Sequence, residues 1–410
     1  MQAHSNREQL TAPYDWYRQM RETQPVFFDQ KIQAWHIFRY DDVARVLSDH
    51  ATFSSDESSF LPPEYRNATP ISSSMLRMDP PRHRKYRQLV SQAFTPRMVA
   101  YMESRIKEIT NGLLDQVQHL GEMDVIRDLA YPLPITVIAE LLGIPAERRE
   151  DFKQWSDAFV SGDEEATEEA RQAVMQATDS MSAYFTQIFE ERRAHPQNDL
   201  VSALLRAEVD GERLSNEELL GFCVLLLVAG NETTTNLLGN AILCLDEHPE
   251  AVERLRANRD LVPGALEEAL RYYSPLKLTV RGTTTETTIG DQRIEAGQVL
   301  FAWIASANRD EAEFPDASQF TIEREPNRHL GFGRGIHFCL GAPLARLEAK
   351  IALSAMLDRL PGSWHMSDAP LSLISSMSVF GVKQLPLTWE KEHNVMNPGL
   401  ESQGSQIPLR

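Results

Sequence analysis

Phe332-Gly333-Arg334-Gly335-Ile336-His337-Phe338-Cys339-Leu340-Gly341 is the most informative stretch of this 410-residue chain. Its three glycines let the backbone adopt positive φ or come close to a bulky, flat object. Pro343 opens a helical pattern that stops at Pro361-Gly362, so Cys339 stands just before a helix N-terminus. Free N–H groups and the helix dipole favour an anion there, and a thiolate is one. On the residues alone, three roles fit Cys339: a metal-bound thiolate, a nucleophile with His337 as its base, or an inert buried thiol.

Around this loop the chain reads as mainly helical. Ser215 and Glu218 have capping-box spacing, and a helical pattern runs from them to about Glu247, where Pro249 stops it. About 30 residues at 1.5 Å each make roughly 45 Å, the width of a domain. The centre of this helix is apolar nearly all round, so it should be buried. Gly230 and the run Thr233-Thr234-Thr235 are poor helix formers, and a kink is expected there. Further helical patterns cover 82–93, 97–119, 133–142, 147–160, 165–194, 250–257 and 262–273. A strand is expected over 35–40, with Asp41 and Asp42 capping a short helix after it. Residues 276–304 alternate, are rich in Thr, Val and Ile, and form a small β region. One or two strands are expected over 371–389. Residues 54–74, rich in Ser with three Pro, read as a long loop, and the polar residues from 393 as a disordered tail. The expectation is a single domain over 1–392, mainly α with a minor β region.

Composition narrows the function. Lys plus Arg total 41 against 59 Asp plus Glu, a formal net charge of −18. Such a chain does not suit nucleic acid or a broad anionic membrane face. Cys223, Cys244 and Cys339 are the three cysteines, too few for a disulfide scaffold and lacking zinc-site spacing. The apolar run 222–228 is too short to span a bilayer, and residues 1–10 carry no leader pattern. A cytoplasmic setting is expected.

Phe-Gly-x-Gly-x-His-x-Cys-x-Gly, matched at Phe332, Gly333, Gly335, His337, Cys339 and Gly341, resembles the haem-ligand loop of the cytochrome P450 monooxygenases. The resemblance implies the family's fold, a triangular prism with one long helix crossing the haem. It implies haem b with Cys339 as the axial iron ligand. A thiolate pushes electron density to the iron and favours O–O cleavage. Ala229-Gly230-Asn231-Glu232-Thr233 is similar to the family's segment over the oxygen-binding face. Glu232 and Thr233 read alone as ordinary helix residues. The resemblance makes Thr233 a hydrogen-bonding partner of bound oxygen and Glu232 a proton relay, and argues against the peroxide-driven branch. Glu268-x-x-Arg271, by spacing a solvated helical pair, resembles the family's buried structural pair, with Arg324 as third member. His83, Arg87, Arg281 and His337, individually surface-type residues, match positions that hold the haem propionates, as arginine suits carboxylate. The matches run from residue 83 to 341 in the family's order.

The same resemblance puts a hydrophobic small molecule above the haem, such as a fatty acid, terpenoid, steroid or polyketide. Leu225, Val228, Leu276, Val379 and Phe380 are its expected contacts, under a lid made by 54–74 and 159–178. Lys277 shares strand parity with Thr279 and Arg281. It either meets a substrate carboxylate or bends to solvent. The chain shows no flavin or nicotinamide fingerprint, so electrons come from a ferredoxin or flavodoxin with its NAD(P)H-dependent reductase. Arg97, Arg334, Arg346 and Lys350 are a candidate docking patch. The expected product is a hydroxylated or epoxidised substrate from a monomeric enzyme using O2. A haem-binding sensor or carrier is the alternative within the thiolate reading, and a cysteine hydrolase using Cys339 and His337 lies outside it.

Overall fold

The capping box forms as its spacing predicts: Ser215 Oγ accepts from the Glu218 amide at 3.1 Å, and Glu218 Oε2 accepts from the Ser215 amide at 3.0 Å. From it the helix Asn216–Glu247 runs 32 residues without interruption in the computed structural model, which describes residues 6–60, 74–164, 167–367 and 369–390. The helix is buried on nearly all sides, with Phe222, Cys223, Leu227 and Leu243 wholly inaccessible. Helices Pro132–Leu141, Val262–Tyr272 and Ala342–Arg359 pack directly on it. Asn240 fixes its far half by donating to the carbonyls of Tyr273 at 2.8 Å and Phe380 at 3.2 Å.

The helical assignment runs through Gly230 without a break. The glycine serves packing: a Cβ there would sit 2.8 Å from Ile138 Cδ1 on helix Pro132–Leu141. Thr233 accommodates itself by donating its hydroxyl to the Ala229 carbonyl one turn back, at 2.6 Å.

The β part is small and sits to one side. A five-stranded sheet has the spatial order Val26–Asp29, Ala34–Ile37, Val299–Ala302, Thr279–Thr283, Phe53–Ser54. Ala34–Ile37 runs parallel to Val299–Ala302, and the other neighbours are antiparallel. Its register sets Arg281 opposite Leu300. This sheet and the helix Tyr40–Ser48 enclose a second, smaller core of Ile37, Val43, Leu47, Leu300 and Phe314. A three-stranded sheet joins Glu122–Asp124, Pro386–Trp389 and Trp364–Met366, and a hairpin pairs Thr287–Ile289 with Gln292–Ile294.

Several expected boundaries shift. The strand expected over 35–40 ends at Ile37, because Tyr40 already begins a helix. Asp41 and Asp42 lie inside its first turn and do not cap it. The Tyr40 amide donates instead to Asp310 Oδ2 at 2.8 Å, across 270 residues of chain. The helix expected over 97–119 divides at Met102 into Pro96–Tyr101, capped by Thr95, and Glu103–Val117. Over 371–389 the only regular strand is Pro386–Trp389, with single bridges at Leu373–Val382 and Leu276–Val379. Helices Asn6–Thr23 and Leu200–Arg206 were not anticipated. The tail from 393 and residues 61–73 of the long loop lie outside the described residues.

Glu268 and Arg271 are both fully buried and joined in a bidentate pair at 2.7 and 2.8 Å. Arg324, Asn327 and the Thr321 amide complete the shell around Glu268 at 2.9–3.2 Å. Arg271 spends its remaining donors on the carbonyls of Asn308, Ala317 and Gln319. The knot ties helix Val262–Tyr272 to the loop that precedes the glycine-rich segment.

Candidate active site

The glycine-rich loop is folded by its own backbone. The Gly333 amide donates to the Leu330 carbonyl at 2.8 Å, and the Cys339 amide to the Phe332 carbonyl at 2.9 Å. Gly333 and Gly335 sit at φ 70° and 72°, where a side chain is strained. At Gly335 space is also closed, since a Cβ would lie 2.8 Å from the Leu47 carbonyl oxygen. The loop is thereby pressed onto helix Tyr40–Ser48. Gly341 differs: a Cβ there would meet nothing nearer than Cys339 Sγ at 3.9 Å. Nothing within the described chain requires that glycine, and a flat group lying against the sulfur would.

Cys339 ends the loop, and helix Ala342–Arg359 begins three residues on. Burial pushes its thiol pKa up, while the Gly341 and Ala342 amides and the charges of Arg87 and Arg346 pull it down. A thiolate here therefore has donors in place, and a cation bound to the sulfur would complete its stabilisation. Arg346 is itself anchored, bidentate to Glu267 at 2.7 Å on both nitrogens and 4.4 Å over the Phe332 ring.

Beside the sulfur lies a cluster of basic groups with almost no acid among them. The His83 and His337 rings are 4.4 Å apart, and neither Nε2 has a partner among the described residues. Arg281 is 8% exposed, yet among the described residues donates only to the Val280 carbonyl at 2.7 Å and Thr279 Oγ1 at 3.2 Å. Arg87 donates to the Phe338 carbonyl at 2.7 Å. Burial, then Arg281, His83 and Arg87, drives His337 down to about 3. Burial and Arg87 drive His83 down to about 4, and burial takes Arg281 to about 10. Asp79 is the one carboxylate that offsets this for His83 and Arg281. Arg281 is a buried cation with no ion pair among the described residues, and the two neutral histidines keep unpartnered ring nitrogens, so the cluster suits an anionic group supplied from outside the chain. The two carboxylates of a haem would fit this donor set, and Cys339 would supply a thiolate beside it.

A cavity of about 330 Å³ joins these parts, with a mostly apolar lining. Of the expected residues it is lined by Arg87, Leu225, Ala229, Gly230, Thr233, Leu276, Arg281, Phe332, Gly333, His337, Cys339 and Gly341. His83 opens instead onto an adjoining groove with Arg87 and Gly335. Glu232 lies beside Thr233, half-buried and outside the lining, and so does Val228, which packs on the core. Val379 is engaged in a bridge with Leu276, and Phe380 packs at 5.4 Å on Tyr273 and 6.1 Å on Tyr14, so neither lines the cavity. Lys277 donates to the Ser376 carbonyl and is also absent from the lining. The strand starts only at Thr279, so the alternation that carries Thr279 and Arg281 into the cavity does not reach back to Lys277. Thr234, Ile138, Phe222, Leu226, Ile304 and Glu348 line it without having been expected. Phe222, Leu226 and Thr234 share the central helix, while Ile138, Ile304 and Glu348 come from three others that only the fold brings to it.

Comparison with known proteins decides what this arrangement is. The family model for cytochrome P450 matches residues 135–389. The chain is a cytochrome P450. It is 45% identical over 382 residues to the putative cytochrome P450 YjiB of Bacillus subtilis, covering 92% of this chain and 94% of that one. It is 42% identical over 376 residues to the cyclomarin C epoxidase CymV of Salinispora arenicola, covering 91% and 95%. Among solved structures, CYP109E1 from Bacillus megaterium in complex with testosterone superposes with a TM-score of 0.84 at 42% identity, covering 92% of this chain and 99% of that one. As a cytochrome P450 it is a haem-thiolate monooxygenase that takes electrons from a redox partner and oxidises hydrophobic substrates. Among the described residues no helix is long and apolar enough to cross a membrane.

Proposed function

We propose that Cys339 is the axial thiolate of a haem b whose propionates lie against His83, Arg87, Arg281 and His337. The uncompensated basic cluster next to a cysteine at a helix start carries this reading. When bound, the haem supplies oxygen activation, helped by the electron-donating thiolate. The protein's own groups position and protonate. Thr233 donates its hydroxyl to Ala229 and keeps lone pairs open towards the cavity it lines. It orients a bound oxygen molecule or water there, and Glu232 beside it relays protons. Ala229 and Gly230 keep that wall thin, and the apolar lining from Leu225 and Leu276 excludes bulk water.

The substrate is a hydrophobic small molecule of steroid, terpenoid, fatty-acid or polyketide type, hydroxylated or epoxidised. The mostly apolar cavity supports this, as do the epoxidase relative and the testosterone complex of the structural relative. Electrons come from a ferredoxin or flavodoxin and its NAD(P)H-dependent reductase. Arg97, Arg334 and Lys350 are exposed and available for docking, while Arg346 is held by Glu267 and contributes less. We place the enzyme in the cytoplasm as a monomer, one domain over 1–392, in keeping with three free cysteines. The reduced, CO-bound absorption spectrum tests the ligand: wild type should show the thiolate band and Cys339→Ser should lose it. Thr233→Ala should keep the band and divert electrons to peroxide. Full coupling in that variant would remove Thr233 from the relay.

A further inference from the structure

Helix Asn6–Thr23 sets Tyr14, Trp16 and Tyr17 against Trp303 and Tyr273, two rings from segments that reach the cavity. Trp303 is followed by Ile304, and Tyr273 stands two residues before Pro275; Ile304 and Pro275 both line the cavity. From Tyr273 the ring centroids step 5.6 Å to Tyr14, 5.6 Å to Tyr17 and 5.4 Å to Trp16. From Trp303 a single step of 5.3 Å reaches Trp16. Trp16 is 37% exposed, whereas the other four rings are buried. Two routes thus leave the neighbourhood of the cavity and meet at one surface indole. Tilted and edge-to-face packing of such rings is ordinary. Their polar ends are less so. Tyr273 donates its hydroxyl to Glu247 Oε1 at 3.0 Å and Oε2 at 3.1 Å, and Trp303 donates its indole N–H to His36 Nδ1 at 2.9 Å. Burial raises the Tyr273 phenol far above its usual range and so keeps it protonated. Burial lowers His36 and so keeps its ring neutral. Each entry ring therefore faces a group that can take its proton, while the Tyr14 hydroxyl has no acceptor among the described residues. The Arg309 guanidinium lies 4.6 Å over Tyr14 and 5.7 Å over Tyr273. Its charge opposes loss of an electron at Tyr14, which serves as a bridge, and the Glu247 carboxylate offsets it at Tyr273.

Tyrosine and tryptophan are the most easily oxidised aromatic side chains, and each becomes a far stronger acid on losing an electron. We propose that Tyr273, Tyr14, Tyr17, Trp303 and Trp16 form an electron path that drains oxidising equivalents from the site when oxygen has been activated and no substrate is oxidised. The inference rests on the monooxygenase reading of this site. Unproductive activation leaves one oxygen atom and two oxidising equivalents there. Tyr273 gives up one electron and its proton passes to Glu247, or Trp303 gives up one and its proton passes to His36. The vacancy moves ring to ring to Trp16, where a low-molecular-weight thiol in solution refills it, and the entry ring recovers its proton. Two such transfers oxidise two thiols to a disulfide. The two electrons and two protons that the thiols release turn the oxygen atom into water.

A peracid tests the path in the substrate-free holoenzyme, because it leaves one oxygen atom at the site and departs as the carboxylic acid. Freeze-quenched wild type carrying ring-deuterated tryptophan should show an indole radical by electron paramagnetic resonance. Glutathione should remove that radical and slow the bleaching of the haem. Trp16→Phe should keep the thiolate CO spectrum and the urea unfolding midpoint, yet lose the protection by glutathione. Trp16→Tyr, still oxidisable at the surface, should retain it. A Trp16→Phe enzyme protected as well as wild type overturns the proposal, as does a wild type with no tryptophan or tyrosine radical. The radical measurement on wild type decides alone if the variants fail to fold. A wild type without the thiolate CO band would instead sink the haem-ligand reading. Azide radicals would then oxidise the exposed indole directly, and failure of a tyrosyl signal to follow would still overturn the path.

Discussion

Replacing Glu268 by glutamine changes one oxygen to an amide at constant shape, and the structure says what that costs. Oε1 accepts from Arg271 Nη2 at 2.7 Å, the Thr321 amide at 2.9 Å and Arg324 Nε at 3.1 Å. Oε2 accepts from Arg271 Nε at 2.8 Å, Asn327 Nδ2 at 3.0 Å and Arg324 Nε at 3.2 Å. Whichever way the new amide lies, its NH2 faces donors head-on, and two guanidinium groups lose their anion. Breaking a buried pair by removing one partner costs about 3–5 kcal/mol. That is a large part of the roughly 5–15 kcal/mol that holds a typical domain together. Urea unfolding of haem-loaded Glu268→Gln, followed by far-ultraviolet circular dichroism, should show that loss. Glu108→Gln is the control: its pair with Arg105 is 63% and 44% exposed, and its removal should cost under about 1 kcal/mol. If Glu268→Gln cost no more than the control, the knot would not be structural and the reasoning would fail.

Arg281→Met should weaken haem retention roughly ten- to a hundredfold, the value of one charge-assisted hydrogen bond of about 1.5–3 kcal/mol, measured by haem transfer to apomyoglobin. Gly335→Ala should destabilise the holoenzyme by at least about 2 kcal/mol, because φ is 72° and the Leu47 carbonyl lies 2.8 Å from the new Cβ. Glu348 is pushed up to about 8 from 4.5, so its unfolded form releases its proton first. Its contribution is full below pH 4.5 and is lost as pH rises to about 8. Glu348→Gln should therefore gain stability relative to wild type across that window, by a few kcal/mol at most, in unfolding curves at pH 5 and pH 8. Lys277→Ala should leave the preference between a fatty acid and its methyl ester unchanged in binding titrations, since Lys277 is spent on Ser376.

What the sequence revealed and what it hid follow from the range of the interactions. The central helix was legible because its start is signalled within four residues, by Ser215 and Glu218, and its burial by composition. The cysteine loop was legible because positive φ and a helix start impose residue types at fixed spacing. The cap of helix Tyr40–Ser48 was not, because it comes from Asp310. Nor was helix Asn6–Thr23, whose strongly polar sequence contains Pro13. Within the site, alternation located Thr279 beside Arg281 but overreached to Lys277, outside the strand. Glu348 carries no local signal at all. A glutamate within a helical pattern becomes unusual only once the fold buries it.

The basic cluster has a consequence for how the enzyme is made. Arg87 meets the carbonyl of Phe338 across 251 residues of chain. At typical synthesis rates those positions leave the ribosome roughly 13 to 50 s apart. During that interval the early histidine and arginine have neither the loop nor the anion that their positions are built for. A nascent chain can fold its local helices, but cofactor capture waits until the cysteine loop has emerged. On the proposed reading, a chain cut short before that loop lacks the cysteine that would hold its cofactor.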